Sequence, residues 1–136
     1  MSKSKGDRRE RQARTILEAS GYSVETPNST PYPQGYGVDF FGLFDFMAFK
    51  DGEKPLFGQV KSNGFRGIRS FPEECTEHQV PFEHVEVEYW ACYDGEGWRI
   101  AEVTEDGHDT VYDERDSDEN VLHAKADKEE IDELPY

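Results

Sequence analysis

Cysteine is nearly absent from this 136-residue chain: Cys75 and Cys92 are its whole complement. Two thiols are too few for a disulfide scaffold, so reduced cysteines are the default. Nor do they build a zinc site with His78 and His84. Cys75-x2-His78 has ligand spacing, but His84 and Cys92 add no matching short spacing, and Cys92 falls in a predicted strand. No apolar run reaches the roughly 20 residues that span a bilayer, and Met1-Ser2-Lys3-Ser4-Lys5-Gly6 has no signal-peptide character. These absences predict an intracellular protein with no membrane partner. Internal repeats are missing too.

Positive charge is scarce in one half of the chain. Residues 71–136 carry 4 Lys/Arg against 22 Asp/Glu, whereas residues 1–70 carry 11 against 8, and the chain as a whole has a net charge of −15. The simplest reading is a solvated surface adapted to molar salt, of the kind carried by proteins of haloarchaea or their viruses. At about 1 M salt the Debye length is only about 3 Å, and such charge density no longer repels strongly. The rivals are an acidic DNA mimic and a tail for a basic partner.

The length fits one domain with a single core. Hydrophobic periodicity fades after Thr104, which divides the chain into an α/β domain over residues 1–104 and an acidic extension over 105–136. Within the extension, Thr110-Val111-Tyr112 is a candidate edge strand and Asp113 to Asn120 a solvated charge run. A short acidic helix is expected from Asp127 to Leu134.

A helix is expected from Asp7 to Ser20, with Asp7 as N-cap and Gly21 at the C′ position. At 100° per residue, with Glu10 at zero, Ala13, Ile16, Leu17 and Ser20 fall near ~300°, ~240°, ~340° and ~280°. Glu10 therefore borders the buried stripe, while Glu18 lies away from it. Asp7-x-x-Glu10 also has capping-box spacing, so Glu10 has a purely structural alternative, with Arg14 as its ion-pair partner. Tyr22 to Glu25 reads as a first strand. Thr26 to Gly37 is a Pro- and Gly-rich loop in which Tyr32 and Tyr36 are candidates to stack on unpaired bases or to pack back on the domain. Asp39 is either a secondary acidic group or a turn residue.

The chain is organised around Phe41 to Lys61, two expected strands and a tight turn. The run Gly42 to Phe49 is apolar except for Asp45, a carboxylate costly to bury unless its charge is used. Asp51-Gly52 is a hairpin signal. In Pro55 to Lys61, Gln59 and Lys61 point to one face and Leu56 and Val60 to the other. A glycine-containing basic loop, Ser62 to Arg69, follows. Phe71 to Phe82 is expected to be a helix starting at Pro72 and ended by Pro81. Val85 to Tyr93 and Trp98 to Val103 are expected to form a hairpin around Asp94-Gly95-Glu96-Gly97.

Asp45, followed on the next strand by Gln59-Val60-Lys61 and preceded by a helix bearing Glu10, resembles the PD-(D/E)XK nuclease superfamily. The variant is the one in which Gln replaces the first acidic residue of Glu-x-Lys, as in Mrr-like restriction endonucleases; the compact size is similar to archaeal Holliday-junction resolvases. The resemblance implies a restriction-endonuclease-like α/β core, with a central mixed sheet flanked by helices. It also implies a Mg²⁺-dependent (or Mn²⁺-dependent) endonuclease acting on duplex or branched DNA, with a place in repair or recombination, and a homodimer cutting two strands. Catalytic roles would fall to Glu10, Asp45, Gln59 and Lys61, and metal ligation to Glu10, Asp45, the Gln59 side-chain oxygen and the Val60 carbonyl. Arg8, Arg9, Ser62, Asn63, Arg66 and Arg69 would contact DNA. The alternative is a nuclease fold kept as a non-catalytic binding or assembly module.

Overall fold

The computed structural model describes residues 5–27 and 40–113, the side chains of residues 5–7 excepted. Tyr32, Tyr36, Asp39 and the acidic segment beyond Asp113 lie outside these residues. Helix α1 (Lys5–Ala19) leads into β1 (Ser23–Glu25), β2 (Phe46–Phe49) and β3 (Leu56–Ser62). Helix α2 (Phe71–Glu77) crosses to β4 (Glu86–Tyr93), followed by β5 (Gly97–Thr104) and β6 (Gly107–Asp113). The strands form one sheet in chain order, with β3 and β4 parallel and every other pair antiparallel. This is an α/β architecture with a central mixed sheet, and the expected edge strand at residues 110–112 falls within β6.

α1 begins at Lys5 rather than Asp7, so Asp7 lies inside the helix and is not its N-cap. Its other end is as expected. Gly21, at φ 93°, takes the left-handed position, and the amides of Gly21 and Tyr22 donate to the carbonyls of Glu18 and Leu17, satisfying the last turn. The strand expected from Gly42 is shorter. Phe41 and Gly42 both have positive φ, 58° and 70°, and the Leu43 amide donates to the Phe40 carbonyl, so a tight turn occupies residues 40–43. β2 starts only at Phe46. The expected helix 71–82 also stops early, at Glu77, because Gln79 adopts a left-handed φ of 61° and the Val80 amide closes back on the Cys75 carbonyl. Pro81 lies beyond that stop.

Strand alternation gives the sheet two buried faces. On the α1 side, Ile16 and Leu17 pack with Phe46, Leu56, Val60, Trp90, Trp98 and Ile100. On the other, Phe44, Ile68, Phe71 and Cys75 cover Val87, Tyr89, Ala101 and Val103. Burying a Leu- or Phe-sized side chain contributes about 1.5–3 kcal/mol, so each face holds its helix without help from crosslinks. The two cysteines lie in different faces, Cys92 under α1 and Cys75 on α2, both buried and neither in a disulfide. Gly58 is required between β2 and the α1 face, since a Cβ there would meet the Phe46 ring at 2.1 Å. Glu88 is buried on the same face and accepts a hydrogen bond from the Trp90 indole at 3.0 Å.

Candidate functional site

β2 and β3 part company at Asp45. Their register ends at Phe46 opposite Gly58. One residue earlier the Asp45 amide donates to the Gly58 carbonyl at 2.7 Å, and the Asp45 carboxylate, not a backbone carbonyl, accepts the Val60 N–H at 2.7 Å. A side chain thus replaces a rung of the ladder, which is why a carboxylate only 8% exposed is tolerated there. The N–H and C=O of one strand residue point to the same edge, so the Val60 carbonyl opens toward the gap that holds Asp45.

Gln59 and Lys61 flank Val60 and project to the opposite face, as their alternation with buried Leu56, Gly58 and Val60 requires. The amide orientation that satisfies both ends of Gln59 has its nitrogen donating to the Leu43 carbonyl and its oxygen accepting from the Lys61 ammonium at 3.1 Å. A carboxylate at position 59 would set an acceptor against that carbonyl. Glutamine is therefore the residue this neighbourhood satisfies.

On β4, Tyr89 stands in register with Gln59. Its phenol is pushed up to about 12, by burial first, then by the negative charges of Asp45 and Glu74, with Arg66 opposing them. The Tyr89 hydroxyl donates to the Arg66 backbone carbonyl. Sequence reading missed Tyr89 as a neighbour of the site, because a parallel register between β3 and β4 leaves no local signal.

The helix contributes differently from expectation. Arg9 is only 4% exposed, and its guanidinium donates to Asp94 at 2.5 Å and to Gln12 at 2.8 Å. Asp94, in the β4–β5 turn, also accepts from the Asn63 amide at 3.2 Å, and its backbone N–H donates to the Asn63 side-chain oxygen at 2.9 Å. This network holds the first turns of α1 over the ends of β3 and β4. Glu10 rides the same turn, half-buried. The signal for Arg9 was present in the sequence: on the wheel that sets Glu10 at zero it falls near ~260°, in the middle of the apolar stripe.

Among the residues expected to meet DNA, Arg8, Arg66 and Arg69 are exposed. Arg9 and Asn63 are engaged with Asp94, and the Ser62 hydroxyl is buried. Asp45 is joined to Val60 by a hydrogen bond and Gln59 to Lys61 across the other face of β3, while Glu10 lies on α1, the helix that packs on the Val60 face. Among the described residues no three His, Cys, Asp or Glu side chains cluster as metal ligands, so an ion held here would depend on amide and carbonyl oxygens as well. That donor set consists of hard oxygens and fits Mg²⁺ or Mn²⁺ better than a thiophilic metal. Among the described residues, no helix is long and apolar enough to cross a membrane.

The fold is that of an α/β protein with a mixed six-stranded sheet and a polar site where β2 and β3 diverge. No protein-family model and no curated protein matches the sequence. Among solved structures, the chain is similar to Hjc, a Holliday junction resolvase from the archaeal hyperthermophile Archaeoglobus fulgidus. The identity is 21%, over 70% of this chain and 74% of that one, with a TM-score of 0.49.

Proposed function

We propose that the protein is a metal-dependent deoxyribonuclease of the PD-(D/E)XK type, hydrolysing phosphodiester bonds in duplex or branched DNA with Mg²⁺ or Mn²⁺. The observation that carries this reading is the Asp45 carboxylate, buried at the strand divergence and one residue from the Gln59–Lys61 pair. Glu10, Asp45, the Gln59 oxygen and the Val60 carbonyl would hold the ion. Bound there, it supplies Lewis acidity and a lowered water pKa. Lys61 places its ammonium where negative charge develops on the phosphate, and Gln59 fixes that ammonium in position. Exposed Arg8, Arg66 and Arg69 hold the DNA backbone, whereas Arg9 is already committed to Asp94.

The charge pattern bears on the working conditions. Glu73, Glu74, Glu77, Glu83, Glu102, Glu105, Asp106 and Asp109 are all exposed, and their mutual repulsion is screened more strongly as ionic strength rises. We therefore propose an intracellular enzyme of high-salt surroundings. Counterion release contributes little to DNA affinity there, leaving hydrogen bonds, shape and metal bridging to supply it. A homodimer, one subunit per strand, is the assembly this reading calls for.

The test is cleavage of plasmid and four-way-junction DNA in molar KCl with Mg²⁺ or Mn²⁺, alongside the unfolding midpoint from 0.1 to 2 M KCl. Metal-dependent nicking and a midpoint that climbs with salt are expected. Cleavage unchanged in both Asp45→Ala and Lys61→Ala would remove the nuclease reading. Stable protein association with neither ion binding nor cleavage would replace it with a non-catalytic module.

A further inference from the structure

The loop between β3 and α2 is fastened more firmly than its sequence suggests. The segment Asn63 to Ser70 carries Arg66 and Arg69, both exposed, and its glycines and left-handed Asn63, φ 56°, leave little regular structure to hold it. Yet one buried side chain of the sheet grips it at several points. Tyr89 is 1% exposed, and its hydroxyl donates to the Arg66 carbonyl. The rings of Phe65 and Phe71, at the two ends of the loop, meet the Tyr89 ring edge-on at 5.6 and 5.1 Å. Gly67, at φ 86°, lies alongside the phenol, where a Cβ would stand in van der Waals contact with its oxygen at 3.4 Å. On the outer side, the Arg99 guanidinium stacks over Phe65 at 4.4 Å.

Tyr89 also connects this loop to the polar site. It stands in register with Gln59, on the face to which Gln59 and Lys61 project. The Asp45 charge raises the phenol and that of Arg66 lowers it, after burial, which raises it most. The one hydroxyl proton is donated to the loop backbone.

We infer that Tyr89 is a positioning residue: its hydroxyl sets the backbone at Arg66 so that Arg66 and Arg69 meet the phosphates flanking the bond presented to Asp45 and Lys61. This rests on the nuclease reading above. Tyr89 takes no part in the chemistry itself; it acts through the arginines. Losing the hydroxyl frees the loop without emptying the core, because the phenylalanine ring fills the same space.

The experiment measures steady-state cleavage by the full chain in Mn²⁺ for wild type, Tyr89→Phe, Arg66→Ala/Arg69→Ala and the triple variant, with the thermal midpoint of each. Tyr89→Phe is expected to fold and to raise KM for DNA roughly 3- to 10-fold, the range one hydrogen bond carries, with kcat within about twofold. In the arginine-free background the same substitution should leave KM unchanged, a non-additivity that a merely structural tyrosine would not produce. A Tyr89→Phe protein with the wild-type KM overturns the inference while wild-type cleavage keeps the nuclease reading intact. An equal KM effect with and without the arginines overturns it as well. A wild type that neither binds nor cuts DNA removes both.

Discussion

Arg9 and Asp94, 85 residues apart in the chain, meet at 2.5 Å, with the guanidinium sealed beneath the helix and the carboxylate half in solvent. The pair ties the start of α1 to the β4–β5 turn, and through Asn63 to the residue that follows β3. Removing one partner differs from replacing the pair. Asp94→Ala strands a buried cation and should cost about 1–3 kcal/mol, the half-exposed carboxylate keeping the loss below that of a fully buried pair. Arg9→Met, which keeps the packing volume and leaves no buried charge, should cost less. Urea unfolding midpoints decide this, and equal losses would mean that burial of the charge is not what Asp94 compensates.

Gln59 answers the Leu43 carbonyl with a donor and Lys61 with an acceptor. Gln59→Glu can serve only the second, and it sets another negative charge near Asp45. The variant should be less stable than wild type by about 1–3 kcal/mol in chelator. It should then gain more thermal stability than wild type on adding Mn²⁺, since the ion relieves both conflicts. Equal Mn²⁺-induced shifts in the two proteins would remove position 59 from the metal's surroundings.

Alkaline pH should find the opposite core. Burial pushes both the Cys75 thiol and the Tyr89 phenol up to about 12. The Cys75 shift also owes something to Glu74, and the Tyr89 shift to Asp45 and Glu74. In the unfolded chain these groups titrate near 8.5 and 10. Between those values and about 12 the unfolded state releases protons that the folded state retains, so stability falls as pH rises through this window. Each group contributes a slope of about 1.4 kcal/mol per pH unit at most. Tyr89→Phe should flatten the part above pH ~10 and leave the lower part, which belongs to Cys75. An unchanged slope in that variant would mean that Tyr89 titrates as in an unfolded chain.

Much of this molecule was legible along the chain where period and punctuation agree. The 3.6-residue stripe of Ala13, Ile16 and Leu17 ending at Gly21, the Asp51-Gly52 turn and the β4–β5 hairpin all follow from local physics. The misreadings occur where left-handed residues break a pattern that composition leaves intact: Phe41 turned part of an apolar strand into a tight turn, and Gln79 ended a helix before its proline. Neither residue advertises a positive φ as glycine does. Arg9 was misjudged for another reason, since a charged side chain at the centre of an apolar stripe becomes sensible only once Asp94 is known to wait beneath it. The neighbourhood of Asp45, Val60 and Tyr89 depends on a strand divergence and a parallel register, both set by pairings distant in sequence.

The most direct measurement is the single-turnover rate of DNA cleavage by Asp45→Asn against wild type, at saturating protein and Mn²⁺. An asparagine oxygen can still accept the Val60 N–H, so the fold should persist with a melting temperature within a few degrees while the carboxylate charge is gone. A rate at least about 100-fold below wild type is expected, the scale on which a group acting on developing charge contributes. A folded Asp45→Asn protein that cuts at the wild-type rate would contradict the site proposed here.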